Sequence, residues 1–225
     1  MTVSPPDLLP VHEDAHLLVL DKPAGLLCVP GRGDDKQDCL SARAQRQWPD
    51  ALIVHRLDMG TSGLVVMARG LEMQRALSAA FADREVHKRY EAIVDGVMPQ
   101  RDDWSLIDAP LMADWPRRPL QKIDPAGKPS ITRWKTISLL PGEPAATHVL
   151  LEPLTGRSHQ LRVHLLSIGH PILGDALYGD AALQARAPRL LLHASELGFV
   201  HPVTQQDLYF NRPPGFIAPW AVSRP

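Results

Sequence analysis

His55-Arg56-Leu57-Asp58-Met59-Gly60-Thr61-Ser62-Gly63-Leu64 sets an arginine and a carboxylate two residues apart, ahead of a Thr-Ser-Gly turn. The apolar run that follows, Leu64-Val65-Val66-Met67-Ala68, reads as a buried strand. Leu52-Ile53-Val54 reads as a strand entering the segment from the other side. Asp58 is therefore expected on a connection leading into the core. A carboxylate held there is either paired or does chemistry. Taken alone, it is more often a turn or capping residue than a catalyst.

Working outward, residues 16–20 read as a short strand closed by the turn Asp21-Lys22-Pro23-Ala24-Gly25. Met73, Ala76, Leu77, Ala80 and Phe81 follow the spacing of a helix face and predict an amphipathic helix from Leu71 to about Ala82. Its apolar stripe is core. Arg89 to Val94, Thr132 to Leu139 and His148 to Leu151 read as strands, as do Leu190 to His193, Leu197 to Val200 and Leu208 to Phe210. Ser158 to Ile168 reads as a helix, with Ser158 as its cap, Leu161, Leu165 and Ile168 on its apolar face, and Gly169 just past its end. Strands and helices are mixed without a βαβ rhythm, which predicts an α+β fold. No internal repeat or low-complexity run is visible.

A chain of 225 residues allows one large domain or two small ones; a single catalytic domain over 1–225 is expected. At this length roughly 70% of the unfolded surface is buried, so no staple is required. The two cysteines, Cys28 and Cys39, form no CxxC motif and are read as reduced thiols. His55, His159, His164, His170 and His193 match no HExxH-like spacing and are read as structural hydrogen-bond formers, so no metal is expected. Neither GxxxxGK[ST], GxGxxG nor GxSxG occurs, which leaves phosphate-loop and serine-hydrolase readings without support. No apolar stretch reaches the roughly 18 residues of a membrane span, and no signal peptide is seen; a soluble, cytoplasmic, monomeric protein is expected.

The net charge of −1 argues mildly against nucleic acid. Its distribution does not. Arg117, Arg118, Lys122, Lys128, Arg133 and Lys135 face a single acid, Asp124, in a segment that Pro119, Pro125 and Gly127 mark largely as loop. Such a stretch is either a phosphate grip or a solvated loop, and charge alone does not choose between them.

HRLD-x-x-TSG at 55–63 closely resembles the catalytic motif of the RluA-type pseudouridine synthases. The likeness runs over nearly the whole chain. Lys22-Pro23-Ala24-Gly25-Leu26-Leu27 with Val29-Pro30-Gly31 is similar to that family's first motif, Lys88-Arg89-Tyr90 to the segment that supplies its active-site tyrosine, and Gly156 to His164 to its third motif. His170 to Asp175 and Leu191 to Ala194 continue it. The resemblance implies an α+β pseudouridine synthase fold, a mixed, mainly antiparallel sheet with flanking helices and a central catalytic cleft. It implies isomerisation of uridine to pseudouridine in RNA, without cofactor. No S4-like RNA-binding domain of the kind carried by longer members is expected, and Gly60 loosens the turn after Asp58.

The resemblance also implies roles. Asp58 attacks C1′ of the target nucleoside or removes its C2′ proton; a carboxylate serves either scheme. Arg162, which by itself reads as a surface arginine with a packed stem, pairs with that Asp, since a carboxylate shielded from water needs a cation to stay ionised. Tyr90 stacks on the base and can remove the C5 proton. Arg56 fills the gap that the flipped uridine leaves. Lys22 helps position the first motif, and with Arg56, Arg117, Arg118, Lys122 and Lys128 it is assigned to RNA binding. Asp114-Trp115-Pro116, Arg118-Pro119, Gln121-Lys122 and Gly127-Lys128-Pro129 are similar to a dual-specificity member of the family. That implies tRNA and 23S rRNA stem-loops as partners, at uridine 32 of the anticodon stem-loop and uridine 746 of the rRNA. The alternatives are a relative with one other RNA site, a non-catalytic RNA-binding relative, and a nucleoside hydrolase that releases uracil.

Overall fold

The computed structural model describes residues 8–140 and 142–217. They form two units, 8–87 with 196–212, and 88–195 with 213–217. The first unit begins with β1 (Pro10–Glu13) and β2 (Leu17–Lys22), followed by α1 (Leu40–Gln47), β3 (Ala51–Ile53), β4 (Ser62–Arg69) and α2 (Leu71–Ala82). The chain enters the second unit through β5 (His87–Asp95) and continues with β6 (Ser105–Asp108), β7 (Leu111–Ala113), β8 (Gln121–Ile123), β9 (Ile131–Leu140) and β10 (Ala146–Pro153). Two helices follow, α3 (Gln160–Ser167) and α4 (Ala181–Ala185). The strand β11 (Leu192–Val200) leads back to the first unit, where β12 (Asp207–Asn211) pairs with its second half.

In the first unit β4 is the central element. Every residue from Ser62 to Ala68 is buried, and β2 and β3 pair with it antiparallel. A strand covered on both faces reads as a continuous apolar run, not an alternating one. Leu17, Val19, Leu64, Val66 and Ala68 meet Met73 and Leu77 of α2 in one core. Of the stripe expected at 73–81, Met73 and Leu77 are buried and Ala80 and Phe81 pack beside them, whereas Ala76 is exposed. In the second unit β5, β10, β9 and β6 run side by side, each antiparallel to its neighbour. Ala92, Val94, Val149, Leu151, Trp134 and Ile107 supply a second core, against which Leu161 and Leu165 of α3 pack. The fold is α+β with mainly antiparallel pairing.

Three local expectations change. The strands read at 190–193 and 197–200 are one strand, β11, because Ala194 and Ser195 between them are buried and extended. The helix read from Ser158 starts at Gln160, and Ser158 does not cap it: His159 occupies the N-cap position with φ 55°, and no side chain bonds the first turn there. At the other end Gly169 takes φ 82° and its N–H bonds Leu166 O, as a helix-terminating glycine does. Ile168, read as part of the apolar face, is 37% exposed beyond the last turn. The basic stretch 117–135 is less loop-like than its prolines suggest, since β8 and the start of β9 lie within it. Among the described residues no helix is long and apolar enough to cross a membrane.

Candidate active site

Asp58 lies in the connection between β3 and β4 and is half-buried. Thr61 N–H bonds Asp58 O at 3.1 Å, which closes the turn expected before Ser62. Both peptide neighbours of Asp58 are held by the segment 22–28. On one side, Cys28 Sγ donates to Leu57 O (3.4 Å) and accepts from Leu57 N (3.2 Å). Burial pushes the Cys28 thiol up, so it keeps the proton that it donates. On the other side, Gly25 N bonds Met59 O at 2.8 Å, and Lys22 Nζ reaches the same oxygen at 3.2 Å.

Lys22 is fully buried. Its ammonium also donates to Pro23 O (2.9 Å) and Leu26 O (2.8 Å). A charge so placed must have its three protons satisfied, and three backbone carbonyls do so. This corrects the assignment of Lys22 to RNA contact: it secures the turn that carries Asp58 and has no surface to offer a phosphate. Arg56 is exposed. His55 accepts from Val66 N (3.1 Å) and stacks on Phe81 with ring centres 4.4 Å apart, which ties the segment to β4 and α2.

In the second unit Arg162 is buried within α3, 5% exposed, not on the surface as its residue type alone suggested. Asp175 accepts from its Nε (2.8 Å) and Nη2 (2.6 Å), a bidentate pair. Asp175 Oδ1 also takes Leu177 N (2.9 Å) and Tyr178 N (3.1 Å). The Tyr178 ring lies 5.0 Å from the Arg162 guanidinium, and its hydroxyl is 2.7 Å from His159 Nδ1. The left-handed backbone at His159 turns that side chain towards Tyr178. Gln160 bonds Thr132 Oγ1, Ile131 O, Thr155 Oγ1 and Arg157 N, and His164 bridges Thr132 Oγ1 and Ala109 O. The polar letters of the 156–164 segment therefore fasten α3 to β9 and orient Arg162. Tyr90 sits half-buried on β5 opposite Leu151 and packs against the second core.

Arg117, Arg118, Lys122 and Lys128 are exposed on or beside the β7–β8 hairpin. Arg117 is bound to Asp114 (2.6 Å) and Lys122 to Asp124 (2.8 Å). Gln121 N donates to Tyr178 OH at 2.8 Å, which fastens the hairpin to the Arg162 cluster. Thus Lys22 and Asp58 are brought together in the first unit, and Arg162 and the hairpin in the second. Among the described residues no group of three His, Cys, Asp or Glu side chains could hold a metal ion.

Sequence reasoning gave no role to Asp175, Tyr178 or Cys28. Asp175 lies 13 residues beyond Arg162, far outside the i, i+4 spacing at which helix partners are read directly. A lone cysteine carries no partner signal at all.

A turn-borne aspartate, held at both flanking peptides, and an arginine fixed by a buried carboxylate accompany the descriptor of an RNA pseudouridylate synthase family, which matches residues 16–167. The chain belongs to that family, as an RluA-type RNA pseudouridine synthase, an isomerase. It is 44% identical over 212 residues to the dual-specificity RNA pseudouridine synthase RluA of Escherichia coli strain K12, covering 94% of this chain and 95% of that one. It is 45% identical over 205 residues to the RluA of Yersinia pestis, covering 91% and 98%. Among solved structures, human RNA pseudouridylate synthase domain containing 1 is similar at TM-score 0.78 and 26% identity, over 97% of this chain and 89% of that one.

Proposed function

We propose that this enzyme converts uridine 32 of tRNA anticodon stem-loops and uridine 746 of a 23S rRNA hairpin to pseudouridine. The reading is supported by near full-length identity to relatives whose name is dual-specificity. The shared segment Asp114-Trp115-Pro116 with Arg118-Pro119 adds to it. The whole chain acts as one catalytic domain, monomeric and cytoplasmic.

Asp58 carries the reaction, either adding to C1′ or removing the C2′ proton. The N1–C1′ bond breaks and the uracil turns in place; as C5 bonds to C1′, the Asp58–C1′ ester bond breaks or, in the second scheme, Asp58 returns the proton to C2′. The C5 proton leaves to Tyr90, and N1 ends protonated, so substrate and product are isomers. Nothing is oxidised or reduced, and no cofactor is called for. Arg162 pairs with Asp58. Arg56 takes the space that the target uridine vacates. The single observation that carries the reading is the Asp58 turn, clamped at Leu57 and Met59 from residues 22–28. A carboxylate that must reach one sugar carbon needs its backbone fixed.

The test is incubation of the enzyme with each hairpin, followed by pseudouridine mapping at single-nucleotide resolution. Conversion at both uridines supports dual specificity. Conversion of only one, or of a different uridine, removes the site assignment while leaving the activity. Free uracil in the reaction would replace isomerisation by hydrolysis.

A further inference from the structure

The hairpin between β7 and β8 exposes a large indole beside its charges. Trp115 is 66% exposed, the most exposed aromatic among the described residues. The Arg118 guanidinium lies over its ring, 3.2 Å from the centre. A single exposed apolar residue needs no explanation. A stacked indole–guanidinium pair among cations is a different case, because it combines a π surface with positive charge.

The pair sits on a tightly closed turn. Asp114 N bonds Leu120 O (2.9 Å), Arg117 N bonds Asp114 O (3.0 Å), and Leu120 N bonds Arg117 O (2.9 Å). The Asp114 carboxylate, 6% exposed, holds Arg117 through Nε (2.7 Å) and Nη2 (2.6 Å). The Trp115 ring is thus carried by a backbone that has little freedom left. With Arg118 on one face and most of the residue still in water, the indole retains open aromatic surface. The hairpin is also tied to the Arg162 cluster through Gln121 N and Tyr178 OH.

We propose that Trp115 is a stacking platform for an unpaired loop base of the substrate RNA, with Arg118 closing the stack and meeting the flanking phosphate. This rests on the reading that Arg162 belongs to the active site. A nucleotide beside the target is then within the reach of the hairpin. A stem-loop with an opened loop fits, because only unstacked bases present a free face. A rigid double helix does not.

Stacking and phosphate contact leave different marks. Neutralising a phosphate contact lowers the salt dependence of binding, whereas losing a stacked base lowers affinity at every salt concentration and leaves the slope alone. Binding of an anticodon stem-loop is measured over a salt series for the wild type, Trp115→Ala, Trp115→Phe and Arg118→Gln. Trp115→Ala should weaken binding by about tenfold to a hundredfold with an unaltered slope. Trp115→Phe should recover most of the loss. Arg118→Gln should flatten the slope. With 2-aminopurine placed at one loop position at a time, one position should be quenched on binding to the wild type and not to Trp115→Ala. Wild-type affinity in Trp115→Ala, equal losses in the Ala and Phe variants, or a flattened slope in Trp115→Ala would each overturn the platform. Binding is read without turnover, so a failure of uridine conversion by the wild type would count against the proposed reaction and not against the stack.

Discussion

Asp58 depends on side chains that touch its neighbours. Cys28 bonds both backbone groups of Leu57, so Cys28→Ala strands a buried N–H and C=O at a cost of about 1–3 kcal/mol. Cys28→Ala should lower the melting temperature and reduce kcat more than it raises KM, because the turn loosens while RNA contacts stay. Cys28→Ser, which keeps a donor and an acceptor, should recover part of both. Equal kcat in all three forms would remove Cys28 from the support of Asp58. In the second unit, Asp175 is 1% exposed and is bound to the buried Arg162. Asp175→Asn breaks the bidentate pair on a buried guanidinium, and breaking a buried pair costs about 3–5 kcal/mol. Chemical denaturation should show that loss, and a change below about 1 kcal/mol would mean that the pair contributes no more than a surface bridge. At this scale the resemblance names residues, and the sequence is opaque where a partner is needed. The resemblance assigns Lys22 to RNA; its burial and the three carbonyls around its ammonium show why it cannot reach a phosphate.

Elements with a strong period were read well: the stripe of α2, the buried run of β4 and the strands β5, β9 and β10 lie close to where the pattern placed them. The strands β1, β6, β7 and β8 have three or four residues each, too few for alternation to separate from chance. Helix α1, LSARAQRQ, buries only Leu40, Ser41 and Ala44 and has no apolar stripe to find. Helix α3 misled in the opposite way, since it is buried on most sides and its polar residues face partners instead of water. His164 shows the consequence. Burial holds its pKa below the ordinary 6.5, against the bond to Ala109 O that raises it. A group whose folded pKa is depressed adds stability above its unfolded value and loses it as pH falls. Between about pH 7 and pH 5 the protein should therefore lose stability, and His164→Gln should flatten that slope; identical slopes in thermal melts would contradict a neutral buried imidazole. Gly174 explains the turn that delivers Asp175. It takes φ 73°, and a Cβ there would run into the carbonyl of Arg189. Gly174→Ala should cost at least about 1–3 kcal/mol, read as a lowered melting temperature.

Over the whole molecule, the residues that the family resemblance assigns to catalysis are distributed between the two units, Asp58 in the first and Tyr90 and Arg162 in the second. The net charge of −1 gives no hint of an RNA substrate. What the total conceals is local: basic side chains concentrate on one hairpin, although Asp114 and Asp124 already bind two of them. Neutralising Arg117, Arg118, Lys122 and Lys128 together should weaken binding to both stem-loops. It should flatten the salt dependence by about two phosphate contacts, fewer than four charges would suggest; an unchanged slope would make the hairpin a solvated surface. The family and the α+β class were legible because motifs recur in order along the chain. The pairing of distant polar groups was not, because it is decided by tertiary packing. The central claim is that Asp58 of this chain isomerises uridine within RNA, and its most direct measurement is single-turnover conversion of a tRNA anticodon stem-loop by the wild type and by Asp58→Asn. Circular dichroism and binding serve as controls for fold and affinity. The wild type should place pseudouridine at one loop position, and Asp58→Asn should bind the hairpin and convert none of it. Measurable conversion by a folded, RNA-bound Asp58→Asn enzyme would contradict the account.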